Sequence, residues 1–248
     1  MADKAITKYA ETAEFPALLG DGEEVAAILQ ENLGGERLTP FSLERIKVPS
    51  GGDKFWRVPD LEKGQRAEEQ VLGIILHNQY ARAYFDTAYG ADDPKPPSCT
   101  SYEMGGMGYG DPGGECASCP FNQFGSALDQ NGAPTGGKAC QEKRFLFILS
   151  PGDYLPSVIQ GPATSLRSIR DYGLELGRKG LRMGQVVTAF VLESEKRGGY
   201  PTSVIKPKFA GLLSPEDCQK VAALQDQLKP MFQQSARNFA QDEAFLND

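Results

Sequence analysis

The chain holds one histidine and one tryptophan, His77 and Trp56, among 248 residues. A single imidazole excludes a histidine-rich metal centre. It also leaves little for histidine-centred catalysis, since no nucleophile pattern adjoins His77; this residue is expected to be structural. No apolar run approaches the roughly 18–20 residues that a membrane-spanning helix needs. The first residues, Met1-Ala-Asp-Lys-Ala, lack the basic start and apolar stretch of a secretory signal. A cytoplasmic setting, in a bacterium or a phage-infected host cell, is therefore expected. Cysteine is scarce and odd in number, five residues, which excludes a fully paired disulfide framework and favours metal. No internal repeat is present.

Four of the five cysteines gather in one stretch, Cys99, Cys116, Cys119 and Cys140, spaced C-x16-C-x2-C-x20-C. The residues between them are mostly Gly, Pro, Ser, Asp and Asn, too few of them apolar to order the segment by burial. Two residues between Cys116 and Cys119 let both sulfurs reach one tetrahedral ion, and Zn²⁺ is the default occupant of a four-thiolate site. Binding of that kind contributes about 10–16 kcal/mol of apparent folding free energy in small zinc peptides. Four protein ligands close the site, so its expected role is structural. A redox pair at Cys116/Cys119 and an iron–sulfur cluster are the competing readings. Cys218 stands apart in a helical pattern as an expected buried thiol.

The formal net charge is −7, yet charge is unevenly placed. Between Lys138 and Ala210 twelve basic residues face six acidic ones, a local excess of six. The acids collect towards the ends. Asp21 is a candidate cap for an acidic helix carrying Val25, Ile28, Leu29 and Leu33 up to Gly34-Gly35. Period-two alternation predicts strands over 41–48 and 79–85, apolar or β-branched runs predict strands over 55–58, 70–76, 144–149, 154–159 and 185–195, and 200–212 is expected to return as the partner of the last. Lys196-Arg-Gly-Gly199 reads as a basic hairpin turn. A helix is predicted from Pro162 to Lys179, with Leu166, Ile169, Tyr172, Leu174 and Leu176 as core contacts and Gly180 as its stop. Another starts at Ser214-Pro-Glu-Asp and is expected to kink or end at Pro230. The run Gly105-Gly-Met-Gly-Tyr-Gly110 lacks the context of a phosphate loop and reads as loop.

The expected fold is a β-rich α+β class: an OB-fold-like, partly open barrel with a zinc-knuckle insertion and appended helices. Expected boundaries are 1–35 for an acidic N-terminal arm, 36–213 for the core with its insertion at 97–142, 214–240 for a C-terminal helix, and 241–248 for an acidic tail.

Rings and cations recur close together: Trp56-Arg57, Tyr80/Arg82/Tyr84, Lys143-Arg144, and Lys196-Arg197 with Tyr200, followed by Lys206 and Lys208. Cations track phosphates and rings stack on bases, so this pattern predicts a surface for single-stranded nucleic acid. The tail residues Asp242, Glu243, Phe245 and Leu246 are expected to serve as an acidic tip for docking partner proteins. The acid pairs Asp92-Asp93 and Glu68-Glu69 are adjacent and would face opposite sides of a strand, which argues against a two-metal nuclease.

The run Pro97-Ser-Cys99, Gly-Glu-Cys116-Ala-Ser-Cys119-Pro-Phe-Asn-Gln-Phe-Gly-Ser126, Gly-Lys-Ala-Cys140, Arg144-Phe-Leu-Phe-Ile-Leu149 and Pro162-Ala-Thr-Ser-Leu166 resembles zinc-containing proteins of phages and mobile elements. In plan the chain is similar to phage single-stranded DNA-binding proteins, which carry a zinc subdomain on an OB-fold and end in an acidic tail. The ligand set differs, four cysteines here against sets that include a histidine. The resemblance implies DNA replication or recombination as the setting. The resulting expectation is a non-enzymatic, sequence-nonspecific single-stranded DNA-binding protein. The alternatives are a zinc-stabilised nuclease or recombination enzyme, and a zinc-knuckle scaffold joining proteins.

Overall fold

A computed structural model describes residues 13–19, 22–36, 43–86, 97–102, 106–129, 131–197 and 199–242. In chain order its elements are α1 (Pro16–Leu19), α2 (Gly22–Asn32), β1 (Arg45–Ile46), β2 (Trp56–Asp60), β3 (Gly64–Glu68), β4 (Gln70–Tyr84), β5 (Cys99–Ser101), β6 (Met107–Gly110) and β7 (Gly114–Glu115). There follow β8 (Gln141–Leu149), β9 (Ser157–Gly161), α3 (Leu166–Arg178), β10 (Val186–Arg197), β11 (Tyr200–Leu212) and α4 (Pro215–Asp242). The chain is a β-rich α+β protein. Its main sheet is mixed, with β1 parallel to β9 among antiparallel neighbours, and does not close into a barrel. Among the described residues no helix is long and apolar enough to cross a membrane. Contacts divide the chain into two units, Met1–Asn78 with Phe145–Met231 and Gln79–Arg144 with Phe232–Asp248. The expected insertion at 97–142 falls within the second.

In the first unit β10 lies between β11 and β4, antiparallel to both, with Val187 opposite Ile74 and Phe190 opposite Val71. Alternate residues of a strand face opposite sides, and here both sides are apolar. Val71 and Ile75 of β4 join Val186, Phe190 and Leu192 of β10 in one core with Ile169, Tyr172 and Leu176 of α3. Ile74 and Leu76 join Val187 and Ala189 in a second core with Phe15, Leu18 and Val221. Each large apolar side chain fully buried in this way contributes roughly 1.5–3 kcal/mol. Leu174, expected inward, is 54% exposed because it falls on the outer face of α3.

Two serines before and within α3 close the free side of β11. The Ile205 N–H donates to Ser165 Oγ at 2.9 Å, and the Ser168 hydroxyl donates to the Ile205 carbonyl. Since β11 pairs only with β10, this satisfies edge groups that would otherwise invite another strand. Gly180, at φ +70°, ends the turn after α3. Ser214 caps α4 by accepting from the Asp217 N–H at 3.0 Å, and the helix continues through Pro230 to Asp242. Cys218 is half-buried rather than enclosed, its thiol 3.9 Å from the Leu213 carbonyl.

Two strand expectations are corrected. Strands 70–76 and 79–85 are one strand, β4, because His77-Asn78 contains no Gly or Pro to turn the chain. Strand β3 was not expected, since Gly-Gln-Arg-Ala-Glu has low strand preference. Pairing with β2 holds it, and Arg66 bridges to Asp60 at 3.6 Å and Glu68 at 2.9 Å. Asp21 lies outside the described residues, as do Phe41, Ser42 and Asp92-Asp93.

In the second unit β5 pairs with the end of β4, placing Tyr84 opposite Cys99, and β6 pairs with β5, placing Gly110 opposite Cys99. The glycine-rich run expected as loop therefore supplies strand β6.

Candidate functional sites in each unit

The four clustered cysteines come together in the second unit. Cys99 begins β5, Cys116 and Cys119 flank the turn after β7, and Cys140 directly precedes β8. None of them forms a disulfide. All four line one cavity of about 10 Å³, a space of roughly one water-sized sphere. Among the described residues no group of three or more His, Cys, Asp or Glu side chains stands as a formed ligand cluster. The thiols therefore share the walls of a cavity without closing on its centre.

Local hydrogen bonds build this cavity. The Cys116 N–H donates to the Gly106 carbonyl at 3.2 Å and the Cys140 N–H to the Phe121 carbonyl at 2.9 Å. Asn122 donates to the Cys116 carbonyl at 2.7 Å and accepts from Lys138 Nζ at 3.3 Å. Gln123 donates to the Ala117 and Cys119 carbonyls, at 3.2 and 3.3 Å. Gly108 has no room for a side chain, since a Cβ would stand 2.9 Å from Cys99 Sγ. Burial pushes the Cys140 thiol up to about 12, with Arg82 opposing and the other three thiols adding to the rise. Burial likewise raises Cys99, against a hydrogen bond from Gly113. Cys99 and Cys140 thus resist ionisation, as buried thiols do where no positive charge fully compensates them.

Several expected nucleic-acid contacts prove to be interior. In the first unit Trp56 is wholly buried and donates its Nε1–H to the Phe190 carbonyl at 2.9 Å. Strand alternation turns Trp56 inward and Arg57 outward, where Arg57 meets Asp53 at 3.3 Å. In the second unit Tyr80 is only 8% exposed, with the Arg82 and Arg144 guanidiniums 5.0 and 5.2 Å from its ring centre. The Arg82 side chain is 11% exposed and meets Glu142 at 3.2 Å. Tyr84 stacks on Phe121 with ring centres 4.1 Å apart, so one of its faces is taken. Trp56, Tyr80 and Arg82 are thus corrected from surface contacts to packing and ion-pair roles. Lys143 sits over the Phe85 ring at 5.6 Å.

The tip of the β10–β11 hairpin in the first unit keeps its expected groups outside. Arg197 pairs across the strands with Tyr200, which is 77% exposed, and Lys196 is exposed beside them. Lys206 and Lys208 are half-buried further along β11. One carboxylate holds two of these cations: Glu195 lies 2.7 Å from Arg197 and 2.7 Å from Lys206. Lys206 and Arg197 together keep the Glu195 carboxyl below its ordinary range. Beside them a cleft of about 460 Å³ opens between α3 and the hairpin, lined by Arg167, Asp171 and Glu175 on one wall and Glu195, Arg197 and Lys206 on the other.

Phe124 of the second unit escaped the sequence reading. It is 80% exposed with Lys138 Nζ 4.9 Å above its ring. The two residues lie fourteen positions apart, so no short ring-and-cation pattern joins them. His77 lies with its ring centre 5.8 Å from that of Phe147, and burial lowers its basicity. Asp242 ends α4, while Glu243, Phe245 and Leu246 lie outside the described residues. Comparison with family models, with curated proteins and with solved structures finds no match to this chain.

Proposed function

We propose that the chain binds single-stranded DNA without sequence preference, as a non-enzymatic protein of DNA replication or recombination. Cys99, Cys116, Cys119 and Cys140 hold a structural Zn²⁺ in this reading. The observation that carries the DNA-binding part is the hairpin tip, where an outward ring, Tyr200, lies opposite Arg197 and beside Lys196. The ring stacks on a base while the cations meet phosphates, a combination indifferent to base identity. Phe124 under Lys138 repeats the same chemistry in the second unit. In this reading the open sheet serves as an OB-fold does, offering strands and loops to a polynucleotide. The acidic C-terminal tail docks replication or recombination proteins. The zinc assignment draws support from four sulfur donors lining one small cavity.

Titration of the whole chain against labelled oligo-dT, duplex and RNA at two salt concentrations tests this reading. Binding to oligo-dT is expected to fall steeply and linearly in log–log form as salt rises, through counterion release. Tyr200→Ala is expected to weaken it by about 1–3 kcal/mol, the contribution of one stacked base, and to leave thermal stability unchanged. Salt-insensitive binding, or none, removes the assignment.

A further inference from the structure

Arg82 is an expensive residue in its position. A guanidinium stays charged at any ordinary pH and is rarely buried without compensation. Here its side chain is only 11% exposed. One arm is accounted for, since Nη2 meets Glu142 Oε1 at 3.2 Å, but that same oxygen also takes Lys138 Nζ at 3.0 Å. One carboxylate thus serves two cations, and the trio retains a surplus positive charge. Arg82 Nε is buried and has no hydrogen-bond partner in the structure. The residue lines the same cavity as the four thiols, and its side chain interacts with Tyr80 and with Cys116. Thr100, whose buried hydroxyl is also unpartnered, lines that cavity as well.

The four thiols stand in the same cavity as this surplus charge. Four thiolates around a divalent cation carry a net charge of minus two, which an interior tolerates poorly without a cation beside it. We propose that Arg82 is the counter-ion of the four-thiolate cluster and sets how tightly the site holds its zinc. It acts from outside the coordination shell, donating to thiolate sulfur and neutralising part of the cluster charge. It is a positioning residue, not a ligand. Partners in this outer position commonly matter by about 10–100-fold in metal affinity. The inference rests on the zinc assignment above.

The test is a chelator competition on the whole chain, measuring zinc affinity of wild type, Arg82→Gln, Arg82→Lys and Glu142→Gln. Co²⁺ substitution adds a sulfur-to-metal absorption band as a direct readout of the thiolates. Arg82→Gln is expected to lose affinity about 10–100-fold and to shift that band, while Arg82→Lys, which keeps the charge, recovers most of the affinity. Glu142→Gln removes a competitor for Arg82 and is expected to hold zinc as tightly as wild type or more so. A merely structural role for the ion-pair network predicts the opposite for Glu142→Gln, so this variant decides the matter should Arg82→Gln fail to fold. Folded Arg82→Gln with wild-type affinity and an unchanged band overturns the inference and leaves the zinc site standing. A wild-type chain that binds no zinc overturns both.

Discussion

Adjacent residues of a strand meet different fates, and Trp56 and Arg57 are the clearest case. The indole is held in the core of the first unit by its hydrogen bond to Phe190 and by complete burial. Trp56→Ala is expected to destabilise the chain by about 3–5 kcal/mol, read from urea unfolding. The tryptophan emission of the wild type is expected to stay unchanged when oligo-dT is added. Tyr172 offers a second test. Its hydroxyl meets Thr188 Oγ1 at 2.8 Å inside the core, and burial pushes its ionisation from 10.0 up to about 12. A raised phenol favours the neutral form in the folded state. Its stabilisation is thus complete below pH 10 and is lost as pH rises from 10 towards 12. Ultraviolet titration should show Tyr172 ionising late, together with Tyr80 and Tyr84, whose phenols burial also raises, with unfolding free energy declining between pH 10 and 12.

At the scale of the element, the β10–β11 hairpin carries both the groups that suit DNA and the group that competes with it. Glu195 occupies Arg197 and Lys206 at 2.7 Å each. The pairs are partly open to solvent, which screens them and keeps their contribution to stability small. Their consequence lies in binding, because a phosphate must displace the carboxylate to reach those cations. Glu195→Gln is expected to tighten oligo-dT binding, to steepen its salt dependence and to leave the melting temperature nearly unchanged. Equal affinity of the two proteins at every salt concentration would show that the DNA does not touch Arg197 and Lys206.

At the scale of the whole molecule, the two units are ordered by different means. The first has two apolar cores, one on each side of its strands. The second has a thiol-lined cavity and a chain of polar contacts running from Glu142 through Lys138 and Asn122 to Cys116. On the zinc proposal, treatment with a strong chelator is expected to speed hydrogen exchange across Cys99–Cys140 while the amides of β10 and β11 stay protected. A wild-type exchange pattern after demonstrated zinc loss would argue that the thiol segment orders itself.

Local patterns carried much of this architecture in readable form. A run of β-branched residues marked β10 and the basic turn after it marked β11 as its partner, Ser214-Pro215 marked the start of α4, and the cysteine spacing marked thiols that do line one cavity. These signals depend on neighbours in the chain, and so they survive without a fold. What only the tertiary structure decided was which side each residue faces and what it meets there. Tyr80 and Arg82 share a short pattern with Tyr84, yet Tyr80 is buried and Arg82 belongs with Glu142 and the thiols. Phe124 and Lys138 share no pattern and are in contact. Strand β3 exists because β2 offers it a ladder, not because its residues favour one. Burial and charge compensation are properties of three-dimensional neighbours, and sequence adjacency records them only where the chain folds back on itself locally.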